Sequence, residues 1–210
     1  MRRVAIAALA GVVAIGVVAV GVENASAGCG GVQKAKPNHP PKHGRAPLAI
    51  GDSVMLLALP RLSSEGYRSN ARGCRQWAEG MALLRQVKSR NKLPHMVTIA
   101  LGADWKITPG DIRGALHLLP KNKVLALVTP RELGGGSGSD ATHIRQAAKK
   151  HPHRVVLLDW VDYSGGRSGW FQPDGLHLTF AGAAGFGRLL GKATRFAKPG
   201  KFPSGARYPH

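Results

Sequence analysis

Acidic residues, cysteines and aromatics are what this 210-residue chain has least of. It carries 11 Asp+Glu against 30 Lys+Arg, a formal net charge of +19 with His neutral, and 2 Cys. Two cysteines exclude a small scaffold built on disulfides. An aromatic share of 6%, with no interleaved Arg/aromatic stretch and no zinc-finger spacing, argues against nucleic acid as the partner of this charge. The glycine run Gly134-Gly135-Gly136-Ser137-Gly138-Ser139 lacks the Lys-Ser/Thr ending of a Walker loop and the spacing of a dinucleotide loop, so it is no phosphate cradle. It reads as a flexible loop, with a flap near a site as the alternative. No metal and no cofactor are expected. With 43% hydrophobic residues a packed core is available, which excludes a disordered chain, and the length suits one domain of ~150–200 residues with appendages.

The N-terminus points to export. Arg2 and Arg3 precede an uncharged run from Val4 to Val22, and Ala25-Ser26-Ala27 follows, which are the basic, apolar and small-residue regions of a signal peptide over 1–27. A retained membrane anchor is the competing reading, since the run approaches the ~20 residues that span a bilayer. Lipidation of Cys29 is a weaker one. Removing residues 1–27 takes away Arg2, Arg3 and Glu23 and leaves +18, so the basic excess belongs to the exported part and fits an anionic cell-surface polymer. In an oxidising compartment Cys29 and Cys74 are most simply a disulfide.

Residues 28–45, rich in Gly, Pro, Lys and His, read as an exposed basic linker, and 198–210 as an irregular basic tail. Between them, over 46–197, Leu48–Ile50, Met96–Leu101, Val124–Val128 and Val155–Leu158 are continuous apolar runs of strand length, with Tyr67–Ala71 a further short one. Helical spacing predicts helices over Arg75–Lys88, Ala141–Lys150 and Gly182–Arg195. Alternation of this kind predicts an α/β domain with a doubly wound, flavodoxin-like parallel sheet flanked by helices, and places chemistry in the loops at the strands' carboxyl ends.

Two such loops stand out. Gly51-Asp52-Ser53-Val54 follows the first run and precedes a helix-capable stretch, a strand-to-helix turn that presents a serine hydroxyl at the sheet edge; alone, it fits a helix-capping serine with no catalytic role better. Asp174-Gly175-Leu176-His177 places a carboxylate three residues before an imidazole, close enough to fix its tautomer and leave Nε2 free to take a proton. Together and in this order these elements resemble the SGNH hydrolases, the GDSL-type esterases and lipases, over roughly Pro47 to Ala197. The forms GDSV and DGLHLT look most like secreted or acyltransferase-linked SGNH domains of bacterial cell walls.

The resemblance implies Ser53 as nucleophile, His177 as general base and acid, and Asp174 as its orienting carboxylate. It further implies that the backbone N–H groups of Ser53 and of Gly73, in Ala71-Arg72-Gly73-Cys74, face the oxyanion, with Cys74 the alternative to Gly73. A Cys29–Cys74 bond would brace that rim. One block departs: where the family has Gly-x-Asn, this chain reads Gly102-Ala103-Asp104, and an ionised carboxylate accepts hydrogen bonds but donates none. Asp104 is therefore turned away, or protonated in a dry setting beside Trp105, or a source of impaired activity. Two functions follow. One is an exported, monomeric serine esterase acting on, or transferring, a short acyl group of an ester such as an O-acetylated wall glycan. The other is a catalytically silent module that adheres to anionic wall polymer. Membrane association is expected only if the N-terminal segment is retained.

Overall fold

A computed structural model describes residues 29–204, so the signal-peptide reading of 1–27 lies outside the described residues. The strands are β1 (Gln33–Ala35), β2 (Leu48–Gly51), β3 (Arg68–Ala71), β4 (Met96–Ala100), β5 (Val124–Val128) and β6 (Val155–Leu158). The helices are α1 (Ser53–Leu56), α2 (Leu59–Ser64), α3 (Trp77–Ser89), α4 (Pro109–Leu118), α5 (Ser139–Lys150), α6 (Trp160–Tyr163) and α7 (Phe180–Ala193). They form a six-stranded sheet in the order β1-β3-β2-β4-β5-β6.

The strands alternate faces as a pleated sheet requires. Leu48, Ile50, Val97, Ile99, Leu125, Leu127, Val155 and Leu157 face a cluster with α3, α4 and α5. Ala49, Ala71, Ala100, Ala126 and Val128 face the other, where Phe186, Leu189 and Leu190 of α7 pack with Trp160. Both faces are thus covered, which is why the strands read as unbroken apolar runs. Each fully buried Leu or Ile contributes about 1.5–3 kcal/mol. Small residues on the second face leave room for Tyr67, whose hydroxyl donates to the Leu190 carbonyl at 3.0 Å and accepts from Thr98 Oγ1 at 3.2 Å. At the far edge Asp159 is wholly buried but paired: Arg145 binds it through Nε and Nη2, each at 2.8 Å, and the Thr129 hydroxyl donates at 3.0 Å. Burial alone would raise its pKa, yet the hydrogen bonds and charge of Arg145 hold it below the usual carboxylate value.

Strands β2 to β6 are parallel, in the doubly wound arrangement expected, but β1 pairs antiparallel with β3, Gln33 opposite Ala71 and Ala35 opposite Ser69. The sheet is therefore mixed. This edge strand comes from the segment read as a linker; its residues are mostly exposed, so it shows no apolar period, but it satisfies the backbone edge of β3. Cys29 and Cys74 form the expected disulfide, so Cys29 is not a free lipidation site in this structure. The tail is irregular as expected up to Ser204, yet it is docked: His95 Nε2 donates to the Lys201 carbonyl at 3.1 Å, Phe202 meets the His95 ring edge-on, and Pro203 is buried. Helix α4 had no place in the periodicity, although Thr108 and Asp111 form a capping box at its start. Among the described residues, no helix is long and apolar enough to cross a membrane.

Candidate active site

The parallel strand order reverses between β2 and β4, since β3 lies on one side of β2 and β4 on the other. Doubly wound sheets bind ligands at this switch point, beyond the strands' carboxyl ends. Ser53 sits there, on the first residue of α1 directly after β2. Its neighbour Asp52 caps the helix: Oδ1 accepts from Val54 N at 3.1 Å, and Oδ2 accepts from Ala103 N, in the loop after β4, at 3.0 Å. Asp52 is only 2% exposed, and burial, partly offset by these N–H donors, pushes its pKa up to about 6. The carboxyl thus ties the serine turn to the next loop along the sheet edge.

The imidazole arrives from the opposite direction on a turn closed by its own backbone. Gln172 N donates to the His177 carbonyl at 2.8 Å and Gly175 N to the Gln172 carbonyl at 2.9 Å. Asp174 Oδ1 accepts from the N–H groups of Leu176 and His177, both at 2.9 Å, and its Oδ2 lies 2.6 Å from His177 Nδ1. Partial burial would raise the Asp174 pKa, but the bond to His177 and the two backbone donors hold it below the ordinary value. An ionised carboxylate can only accept, so Nδ1 carries the proton and Nε2 is left as an acceptor. Ser53 Oγ stands 3.0 Å from that nitrogen. Ser53 precedes Asp174 by 121 positions and His177 by 124, yet the three side chains form one continuous hydrogen-bonded line. Gly175 adopts φ +69°, and a Cβ there would lie 2.8 Å from the Gly134 backbone. The glycine run packs here too, with Gly134 N donating to the Asp174 carbonyl at 2.7 Å. It braces the acid-base turn, closer to the flap alternative than to a distant flexible loop.

On the other flank, the turn after β3 holds Gly73 beside the serine turn, because Ala71 is in register with Gly51. A Cβ on Gly73 would stand 2.7 Å from the Cys29 carbonyl oxygen, so the N-terminal arm presses directly on this residue. Cys74 has φ +52°. Arg75, which sequence reasoning passed over, is buried and donates to the carbonyls of Gly51 and Asn70 at 3.0 and 2.6 Å and to Asn70 Oδ1 at 2.7 Å, locking the ends of β2 and β3 together. Asp104 is exposed and Trp105 is 59% exposed, so the dry setting expected beside Trp105 is not there. Its loop is anchored through Ala103 instead. Gln33, Gln172, Leu56, Leu57 and Val54 were also missed; with Ser53, His177 and Leu178 they line a groove of about 320 Å³. Arg131, after β5, donates from Nε to the Gly175 carbonyl at 3.1 Å and stacks on Phe171. Only its position at a strand's carboxyl end could have marked it.

Comparison with known proteins agrees with this fold. The chain is 30% identical over 150 residues to the peptidoglycan O-acetyltransferase OatA of Listeria monocytogenes, an alignment covering 68% of this chain and 23% of that protein. It superposes on the C-terminal catalytic domain of Streptococcus pneumoniae OatA with a TM-score of 0.64 at 23% identity, covering 82% of this chain and 99% of that domain. The chain has the SGNH hydrolase fold. A candidate SGNH hydrolase from Slackia heliotrinireducens shares the fold at a TM-score of 0.55 and 17% identity, over 71% of this chain and 98% of that one. No family model matches the chain. The chain spans about a quarter of the length of the curated relatives it matches.

Proposed function

We propose that this chain is an exported serine esterase or acyltransferase of SGNH type, acting on a short acyl ester of a cell-wall glycan. The observation that carries the reading is the line Asp174–His177–Ser53, at 2.6 and 3.0 Å. In the first step Ser53 Oγ attacks the ester carbonyl while His177 Nε2 takes its proton. Asp174 stabilises the imidazolium that results. The tetrahedral oxyanion receives the backbone N–H groups of Ser53 and Gly73. Collapse expels the sugar alkoxide, to which His177 returns the proton, and leaves an acyl-Ser53 ester. Water or a second sugar hydroxyl, deprotonated by His177, then attacks that ester and frees the serine. Water gives hydrolysis and a sugar hydroxyl gives transfer.

Asp104 supplies no donor to this scheme. The missing side-chain amide lowers the rate relative to a site that has one, by about 10²–10³ for a full donor. The basic charge fits a wall setting: Arg167 and Arg188 lie over Trp170 at 4.8 and 5.8 Å, and Lys192 over Tyr163 at 5.1 Å, a cationic face suited to anionic polymer. The relatives' wall chemistry and the signal-like N-terminus support a chain that faces the cell exterior after cleavage near Ala27.

The test is turnover of p-nitrophenyl acetate and of an O-acetylated chito-oligosaccharide by the parent protein and by Ser53→Ala. The parent should release acetate from both, and the variant from neither. Equal rates in the two proteins would refute a serine mechanism.

A further inference from the structure

The groove in front of Ser53 and His177 has a wall that the family's sequence blocks do not supply. Gln33 lies 20 residues before Ser53, outside every block, and reaches the site because β1 pairs with β3. Along β1 the side chains alternate: Ala35 packs on the cluster that includes Met55 and Leu59, so Gln33, two residues earlier, projects on the same side, toward α1. Lys34 points the other way, beside Asn70, Leu83 and Gln86.

The strand is held at both ends. Behind it the Cys29–Cys74 bond fixes the chain, and ahead of it Asn38 N donates to the Ser63 carbonyl at 2.9 Å while Asn38 Nδ2 donates to Ser64 Oγ at 3.2 Å. The backbone at Gln33 is thus pinned, and only its side-chain rotamers remain to be ordered on binding. Its amide hydrogen-bonds to no described residue. Across the groove, Gln172 has its Nε2 committed to the Leu178 carbonyl at 3.2 Å. Val54, Leu56 and Leu57 line the same groove.

Amides and aliphatic carbons lining one groove match a ligand with polar edges and an apolar face, as a pyranose ring has. The Gln33 amide both donates and accepts, so it can pair with a ring hydroxyl or with an acetamido group. We propose that Gln33 is a substrate-binding residue for the acetamido-sugar ring that carries the acyl group, and that the disulfide-anchored arm is one wall of the substrate site. This rests on the wall-glycan reading above.

A binding experiment separates the two ideas. The full chain carrying Ser53→Ala, which cannot turn over the ester, is titrated calorimetrically with an O-acetylated chito-oligosaccharide. Adding Gln33→Ala should raise Kd about three- to tenfold, the loss of one neutral hydrogen bond. Gln33→Asn should fall between, and Lys34→Gln should match the parent. Cys29→Ser, which unpins the strand, should weaken binding at least as much as Gln33→Ala. Unchanged Kd in Gln33→Ala, equal weakening by Lys34→Gln, or no detectable binding by the parent would overturn the assignment. A thermal melt of each variant guards against misfolding: Gln33→Asn, which keeps the amide, must melt with the parent, and weakening that tracks a lowered melt also counts against a binding role. Gln33-dependent binding by a protein without esterase activity would leave the inference standing and remove the catalytic proposal instead.

Discussion

The two flanks of Ser53 are built by different means. The acid-base flank is local: Asp174 and His177 are three residues apart, the carboxylate takes its donors from the same turn, and Gly175 and Gly134 close the turn from behind. The oxyanion flank is assembled from distant pieces. Gly73 follows β3, Ala103 follows β4, Arg75 ties the strand ends, and the arm reaches over through a disulfide to touch Gly73. A local device needs only a few neighbouring residues to be right. A composite one depends on the whole sheet edge and tolerates more variation in side chains, because its main donors are backbone N–H groups.

Breaking the local flank should have the largest effect. His177→Ala removes the acceptor positioned for the Ser53 proton and should lower kcat/KM for p-nitrophenyl acetate by about 10⁴-fold or more, measured on a protein whose melt is unchanged. Next comes the clamp on the composite flank. Reducing Cys29–Cys74, which closes a loop of 45 residues, should cost about 3–4 kcal/mol in urea unfolding while leaving the Asp174–His177 turn intact.

The Asp52 link should follow at roughly 3 kcal/mol. Its folded pKa of about 6 lies above the ordinary 3.8, so the folded state holds the proton more tightly than the unfolded one. Its contribution is therefore full below about pH 4 and is lost as pH rises through 6. Asp52→Asn should flatten that part of the stability profile between pH 4 and 7. Asp159 and Asp174 run the other way, since their lowered pKa values support the fold above the ordinary carboxylate range and fail as pH drops. The smallest effect belongs to Asp104→Asn, which should raise kcat about 10- to 100-fold, less than a full donor gives because residue 104 is exposed to water. An unchanged kcat would place residue 104 outside the site.

The same contrast explains what could be read beforehand. Ser53, Asp174 and His177 were legible because their motifs are short and their chemistry needs particular side chains. The β2 to β6 sheet was legible because strands buried on both faces leave unbroken apolar runs. Gln33 was not, since an exposed edge strand of polar residues has no hydrophobic period, and a Pro- and Lys-rich neighbourhood hides it. Arg75 was not, because it donates to three oxygens that only the folded sheet edge brings together. The glycine run was legible as a loop, but not its hydrogen bond to the Asp174 carbonyl. Helix α4 was missed through its short apolar face, although Thr108-Pro109-Gly110-Asp111 carried the cap signal.

The most direct test of the account is labelling of the protein by a fluorophosphonate probe, with the modified residue located by mass spectrometry. An activated serine held 3.0 Å from His177 Nε2 should take the label at Ser53, and His177→Ala should lose it. A correctly folded parent protein that takes no label, or takes it at another serine, would contradict the claim that this hydrogen-bonded line is a working catalytic centre.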